Sequence, residues 1–166
     1  MLSQLEMGEK ELKHAPVDIG ILLTAIAEDA KQLKEYKHHQ IKLEIASDKR
    51  LLADAGELRS AISNLVFNAV KYTPAESEIT LRWFTTKNEA CIEVEDNGMG
   101  IAEHHLERLT ERFYRVDSGR AQETGGTGLG LAIVKHILKR HKANLNISSE
   151  IGVGSVFSCC ASQQQN

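Results

Sequence analysis

Asn64, Asn68 and Lys71 stand at i, i+4 and i+7 of an apolar-periodic run, so on a helix they form one stripe. Amide oxygens are hard ligands suited to Mg²⁺, which keeps several waters and takes the rest of its shell from phosphates; a lysine one turn on can meet those phosphates. Taken alone, such a stripe reads as a solvated helix flank. A second group, Asp96-Asn97-Gly98-Met99-Gly100, sits where a strand pattern runs out. A carboxylate there can accept a hydrogen bond from an exocyclic amine, while the glycines let backbone approach a flat ring. That acceptor suits adenine, whose 6-position donates, and not guanine, whose 6-position is a carbonyl. Taken alone, the group is an ordinary Asn-Gly turn.

The third group is Gly125-Gly126-Thr127-Gly128-Leu129-Gly130-Leu131, opening directly into a helix pattern. Backbone N–H groups at a helix start, uncrowded by side chains, make a phosphate cradle; a flexible hinge is the equal alternative. No Gly-Lys-Ser/Thr follows at Walker spacing, and Ile133 occupies the place of the third glycine of Gly-x-Gly-x-x-Gly. Between the second and third groups, Arg112, Arg115 and Arg120 concentrate positive charge, with Phe113 and Tyr114 as apolar anchors for a lid. A surface loop with scattered charges is the other reading.

The elements that must position these groups follow from periodicity. Residues 1–13 carry a short helical stripe, Leu2, Leu5 and Leu12, too brief to fold alone. Asp18 caps a helix expected to run to about Tyr36, with Ile19, Leu22, Leu23, Ile26, Ala27 and Ala30 on its apolar face. Ile41, Leu43 and Ile45 alternate as a strand, and Leu51-Leu52-Ala53 is a shorter one. Asp54 with Glu57 resembles a capping box for a helix to about Lys71, buried through Leu58, Ile62, Leu65 and Ala69. Strands are expected at Ile79–Phe84 and Cys91–Asp96, then a long glycine-rich stretch from Gly98 to Gly130 with helical hints at Glu103–Leu109. Loops of that length are functional or disordered. A helix at Leu129–His141 and a hairpin of Asn144–Ser149 with Val153–Cys159, turned near Gly152, close the chain. This order places helices on one face of a mixed sheet.

The composition is that of a soluble globular domain: 166 residues, 42% hydrophobic and 26% charged. A formal charge of −3 gives no general attraction for nucleic acid or an anionic membrane, so neither is an expected partner. No apolar run reaches the roughly 20 residues that span a bilayer, and no secretory signal opens the chain. Cys91, Cys159 and Cys160 lack metal-ligand spacing, and adjacent Cys159 and Cys160 are poorly placed to pair; a reducing cytoplasm is the simplest home.

Taken together, the four groups resemble, in order and separation, the N, G1, F and G2 boxes of the histidine-kinase branch of the GHKL ATPase superfamily. Gly152-Val153-Gly154-Ser155-Val156-Phe157 is similar to that family's further glycine box. The likeness covers roughly residues 16–160. It implies an α+β chain folded as a two-layer α/β sandwich, the Bergerat fold, with a mixed sheet, helices on one face and a long ATP lid. It also implies a catalytic ATP-binding domain at 16–160, the tail of an upstream dimerisation hairpin at 1–15 and a frayed end at 161–166.

The resemblance implies ATP and Mg²⁺ as cofactors. Asn68 would ligate the metal with support from Asn64, Lys71 would contact phosphate, and Tyr72 would lie against base or sugar. Asp96 would read the adenine amine between Gly98 and Gly100, and Arg115 would approach the terminal phosphates. Gly126, Thr127, Gly128, Leu129 and Gly130 would cradle the phosphates. The reaction implied is ATP plus protein histidine giving ADP plus phosphohistidine. Partners would be the dimerisation domain bearing that histidine and a response regulator.

None of the seven histidines stands in the family's acceptor motif, and each reads as a solvated surface histidine. The expectation is therefore ATP binding with little or no self-phosphorylation. The runs Leu58–Asn64 and Arg108–Phe113 resemble the phosphate-regulon group of sensor kinases, as does Thr110 in place of the first F-box phenylalanine. This implies the cytoplasmic part of a protein anchored in the inner membrane. The related ATP hydrolases place a water-activating Glu four residues before the metal-binding Asn. Here that residue is Asn64, which cannot act as a carboxylate base, so hydrolysis should be slow. A degenerate binding module is the non-enzymatic rival; the polar position of every box is intact.

Overall fold

The computed structural model describes residues 11–98 and 129–162. Residues 1–10 of the helical stripe expected over 1–13 lie outside the described residues, and its last part is not helical. Glu11–His14 has no regular structure, and Ala15–Val17 is a strand (β1), extended as Pro16 requires. β1 pairs antiparallel with Leu51–Ala53 (β3) as a separate two-stranded ribbon.

Asp18 caps the first helix (α1, Ile19–Ala30) by accepting from the Ile21 N–H at 3.1 Å. The six apolar residues expected on its inner face are all buried. The helix stops at Ala30, short of the expected Tyr36, and tightens into turns with Gln32 N–H to Asp29 O at 3.0 Å and Leu33 N–H to Ala30 O at 3.1 Å. From Lys31 to Lys37 only Leu33 and Tyr36 pack on the core, too few to bury another helical turn.

Asp54 begins α2 (Ala55–Lys71) by accepting from the Glu57 N–H at 3.1 Å. The reciprocal half of the capping box is replaced. Glu57 turns to Arg140, with Oε contacts at 3.1 and 2.9 Å, and the Asp54 N–H donates to His141 Nε2 at 3.1 Å. The start of α2 is thereby fastened to the end of the third helix, α3 (Leu129–Arg140).

Five strands make the main sheet: Gln40–Ile45 (β2), Glu78–Thr85 (β4), Glu89–Asp96 (β5), Ala143–Glu150 (β6) and Gly154–Ser162 (β7). Their order is β2-β4-β5-β7-β6, with β2 parallel to β4 and every other pair antiparallel. The mixed sheet with helices against one face is the α+β arrangement expected. β2 forms as expected but lies at the edge, leaving Leu43 37% and Ile45 43% exposed.

Register assigns the two faces. Ile79 pairs with Asp96, Leu81 with Val94 and Trp83 with Ile92, all toward the helices. The intervening Arg82 points the other way into carboxylates of Glu44, Glu93 and Glu95 at 2.8, 3.1 and 2.7 Å. The core joins this inner face to Ile62, Leu65 and Val66 of α2 and to Val134, Ile137 and Leu138 of α3.

The cysteines hold a pairing that their spacing in sequence does not signal, and adjacent Cys159 and Cys160 are not joined to each other. Cys91 and Cys160, opposed in register and 69 residues apart in sequence, form a disulfide across β5 and β7 with Cα atoms 4.2 Å apart. Only Cys159 is a free thiol among them, and burial pushes it up to about 12.

Candidate functional site

The site grows from the end of α2. Alternation of buried Leu65, Val66, Ala69 and Val70 with half-buried Asn64, Asn68 and Lys71 puts the amide–lysine stripe along the border of the packed face. The Asn64 side-chain N–H donates to Ser60 O at 2.8 Å, which leaves its amide oxygen as the available ligand atom. Tyr72 is the C-cap and is 45% exposed. Thr73 then folds its hydroxyl back to donate to Ala69 O at 2.6 Å.

Asp96 ends β5 on the inner face, half-buried. Its Oδ1 accepts from the Gly98 N–H at 2.9 Å. Burial pushes its carboxyl up, opposed by the backbone hydrogen bonds from Gly98 and Ser155 and reinforced slightly by the neighbouring Glu95 charge. The group is therefore a desolvated hydrogen-bond acceptor.

These two halves touch. A Cβ added to Gly98 would lie 2.7 Å from Thr73 Cγ2 and 3.0 Å from Asp96 Oδ1, so the Thr73 methyl packs where Gly98 has no side chain. Asn97 completes the turn, accepting from the Glu78 N–H through Oδ1 at 2.8 Å and so extending the β4–β5 ladder. The first residue of β7 approaches from the third side. Gly154 has φ +139°, and a Cβ there would run into the Asp96 carbonyl and come 2.9 Å from Asn97 Cα. Only glycine allows that approach.

Of the expected site residues, Asn64, Asn68, Lys71, Tyr72, Asp96 and Gly98 are described, and Gly98 meets the last turn of α2 through Thr73. Leu129 and Gly130 open α3. Gly100, Arg115, Gly126, Thr127 and Gly128 lie outside the described residues, as do Arg112, Phe113, Tyr114 and Arg120. An apolar hollow bounded by Leu52, Ala90, Ile92, His141 and Ala161 lies toward the opposite end of the sheet.

Sequence reasoning missed Thr73, Gly154 as the neighbour of Asp96, and His39. The expectation that every histidine is solvated fails at His39, which is 3% exposed with Nε2 3.0 Å from Thr73 Oγ1. It also fails at His141, half-buried and bonded to Asp54 and Ile137. Such contacts join segments far apart in sequence, and no local pattern signals them.

Comparison with known proteins gives one consistent set of likenesses. The family described as Histidine kinase-, DNA gyrase B-, and HSP90-like ATPase matches residues 53–165. The phosphate regulon sensor protein PhoR of Pseudomonas aeruginosa is 53% identical over 96% of this chain and 36% of that protein. PhoR of Haemophilus influenzae is 42% identical over 85% of this chain and 33% of that protein. The chain thus spans about a third of the length of these relatives. Among solved structures, full-length ShkA in complex with AMPPNP superposes with TM-score 0.82 at 32% identity, covering 96% of this chain and 33% of that one. The mycobacterial sensor histidine kinase MprB shares the fold, with TM-score 0.77 at 22% identity over 90% of this chain and 97% of that one.

Proposed function

Because the chain belongs to the histidine kinase-, DNA gyrase B- and HSP90-like ATPase family, we propose that it is the ATP-binding catalytic domain of a two-component sensor histidine kinase. The reading rests above all on Asp96, a desolvated acceptor held beside the last turn of α2 through the Thr73–Gly98 contact. ShkA, 32% identical over 96% of this chain, was solved with a nonhydrolysable ATP analogue, which supports the same ligand class here.

In this reading Asp96 accepts a hydrogen bond from the adenine amine, and the absent side chain of Gly98 leaves room for the ring. Tyr72 lies against base or sugar. The amide oxygens of Asn68 and Asn64 suit Mg²⁺, a hard cation that offsets triphosphate charge when bound. Lys71 meets the phosphates from the helix. Gly98 and Gly100 line the adenine pocket, Arg115 approaches the γ-phosphate, and Gly126, Thr127, Gly128, Leu129 and Gly130 cradle the phosphates. An imidazole nitrogen on a separate dimerisation domain attacks the γ-phosphorus; its N–P bond forms as the P–O bond to ADP breaks. The phosphoryl group then passes to a response-regulator aspartate. Likeness to PhoR makes phosphate-responsive signalling the matching pathway, with this domain in the cytoplasm of a membrane-anchored protein.

The test is calorimetric titration of ATP with and without Mg²⁺, on wild type and Asp96→Asn. Wild type should bind in a Mg²⁺-dependent way, and the variant should bind about a hundredfold more weakly, the loss expected for one charged hydrogen bond left mispaired. Equal affinities would remove the adenine assignment. Mixing the chain with a separately made acceptor hairpin and ATP should yield phosphohistidine; none at any concentration would end the kinase reading.

A further inference from the structure

We infer that His39 is a positioning residue for the nucleotide site, holding the end of α2 against the Asp96–Gly98 loop from outside the pocket; this rests on the reading of Asp96 and Gly98 as the adenine end. The ring lies in the turn that leads into β2, after His38 with φ +57°, and is 3% exposed. A polar ring so buried is costly unless its nitrogens are bonded. Both are. Nδ1 accepts from the Lys37 N–H at 3.0 Å, which places the proton on Nε2. Nε2 then donates to Thr73 Oγ1 at 3.0 Å, with Thr73 O at 3.4 Å.

The surrounding contacts make the turn a rigid support. Tyr36 Oη donates to His39 O at 2.9 Å and its ring packs on the imidazole, centroids 5.7 Å apart. The Glu76 N–H donates to Lys37 O and the Gln40 N–H to Ser77 O, both at 2.9 Å, so residues 36–40 are joined to 73–77 at three places.

The consequence runs toward the site. Thr73 Oγ1 donates its one proton to Ala69 O and receives the proton of His39, which fixes the hydroxyl and with it the methyl. That methyl is the surface against which Gly98 rests, and the Gly98 N–H is what holds Asp96 Oδ1. Three contacts thus connect a histidine with no place in the chemistry to the carboxylate that reads the base. Without His39, the half-buried Thr73 hydroxyl loses its donor at the last turn of α2, beside Asn68, Lys71 and Tyr72.

The experiment compares wild type, His39→Ala and His39→Gln by ATP·Mg²⁺ titration, thermal melting and the Gly98 amide resonance in the nucleotide-free chain. His141→Ala, at the opposite end of α2, is the stability control. His39→Ala should weaken ATP binding about tenfold and move the Gly98 resonance. His39→Gln, whose side-chain N–H can stand in for Nε2–H, should recover both to within about twofold. His141→Ala should lower the melting temperature and leave affinity unchanged. Wild-type binding matched by His39→Ala, or a Gln variant no better than Ala, would overturn the role. A wild-type chain that binds no ATP would remove the nucleotide reading itself, while the Gly98 resonance would still report whether His39 holds that loop.

Discussion

Asp96 exposes a tension between stability and function. Burial raises its pKa on folding, so the folded chain holds that proton more tightly than the unfolded one. The destabilising cost is complete above the folded pKa and is relieved as pH falls through it toward the unfolded value. At neutral pH, Asp96→Asn should therefore melt at the same temperature or higher while losing ATP, a separation that calorimetry with and without nucleotide will read. Gly154 behaves in the opposite way. Gly154→Ala forces a Cβ into the Asp96 backbone at a φ that side chains rarely adopt, and should cost on the order of 3 kcal/mol in urea denaturation. The two residues also differ in legibility. Asp96 is marked by its place between a strand pattern and glycines. Gly154 is marked only by family likeness, because its neighbour lies 58 positions back and meets it through the β5–β7 register.

Helices were readable where burial repeats locally. The caps at Asp18 and Asp54 follow from a carboxylate standing just before an apolar-periodic run, and all six inner residues of α1 from spacing of 3.6. The early end of α1 does not, because its limit is the edge of the surface available to cover. The capping box of α2 was half right for a similar reason: Glu57 is claimed by Arg140, 83 residues away. That ion pair is well shielded, with the side chains 9% and 25% exposed. Arg140→Ala strands the Glu57 charge and should cost about 2 kcal/mol, read as a lower urea midpoint. ATP affinity should stay within about twofold, because the pair lies at the end of α2 remote from Thr73. A drop matching that of His39→Ala would mean that α2 transmits strain along its whole length.

At the scale of the molecule, the helix-on-sheet layering and the two antiparallel neighbours β4–β5 and β6–β7 were legible from element order, whereas the rest of the strand order was not. β2 beside β4 is a parallel, non-local pairing, and placing β5 at the centre requires β7 to return between β5 and β6. That return sets three elements around Asp96 and also opposes Cys91 to Cys160. The ribbon of β1 and β3 stands apart from this framework, three residues against three. Two-stranded ribbons are marginal by themselves, and this one relies on Val17 and Ala53 reaching the core and on the Lys13 N–H bonded to Asp54 Oδ2 at 3.0 Å. Amide hydrogens of β1 should accordingly exchange with deuterated solvent through local opening, well before those of β5; equal protection would make the ribbon part of the global unfolding unit. Each such opening takes the Lys13 N–H from the Asp54 carboxylate, leaves it the Glu57 N–H, and falls at the end of the sheet opposite Asp96.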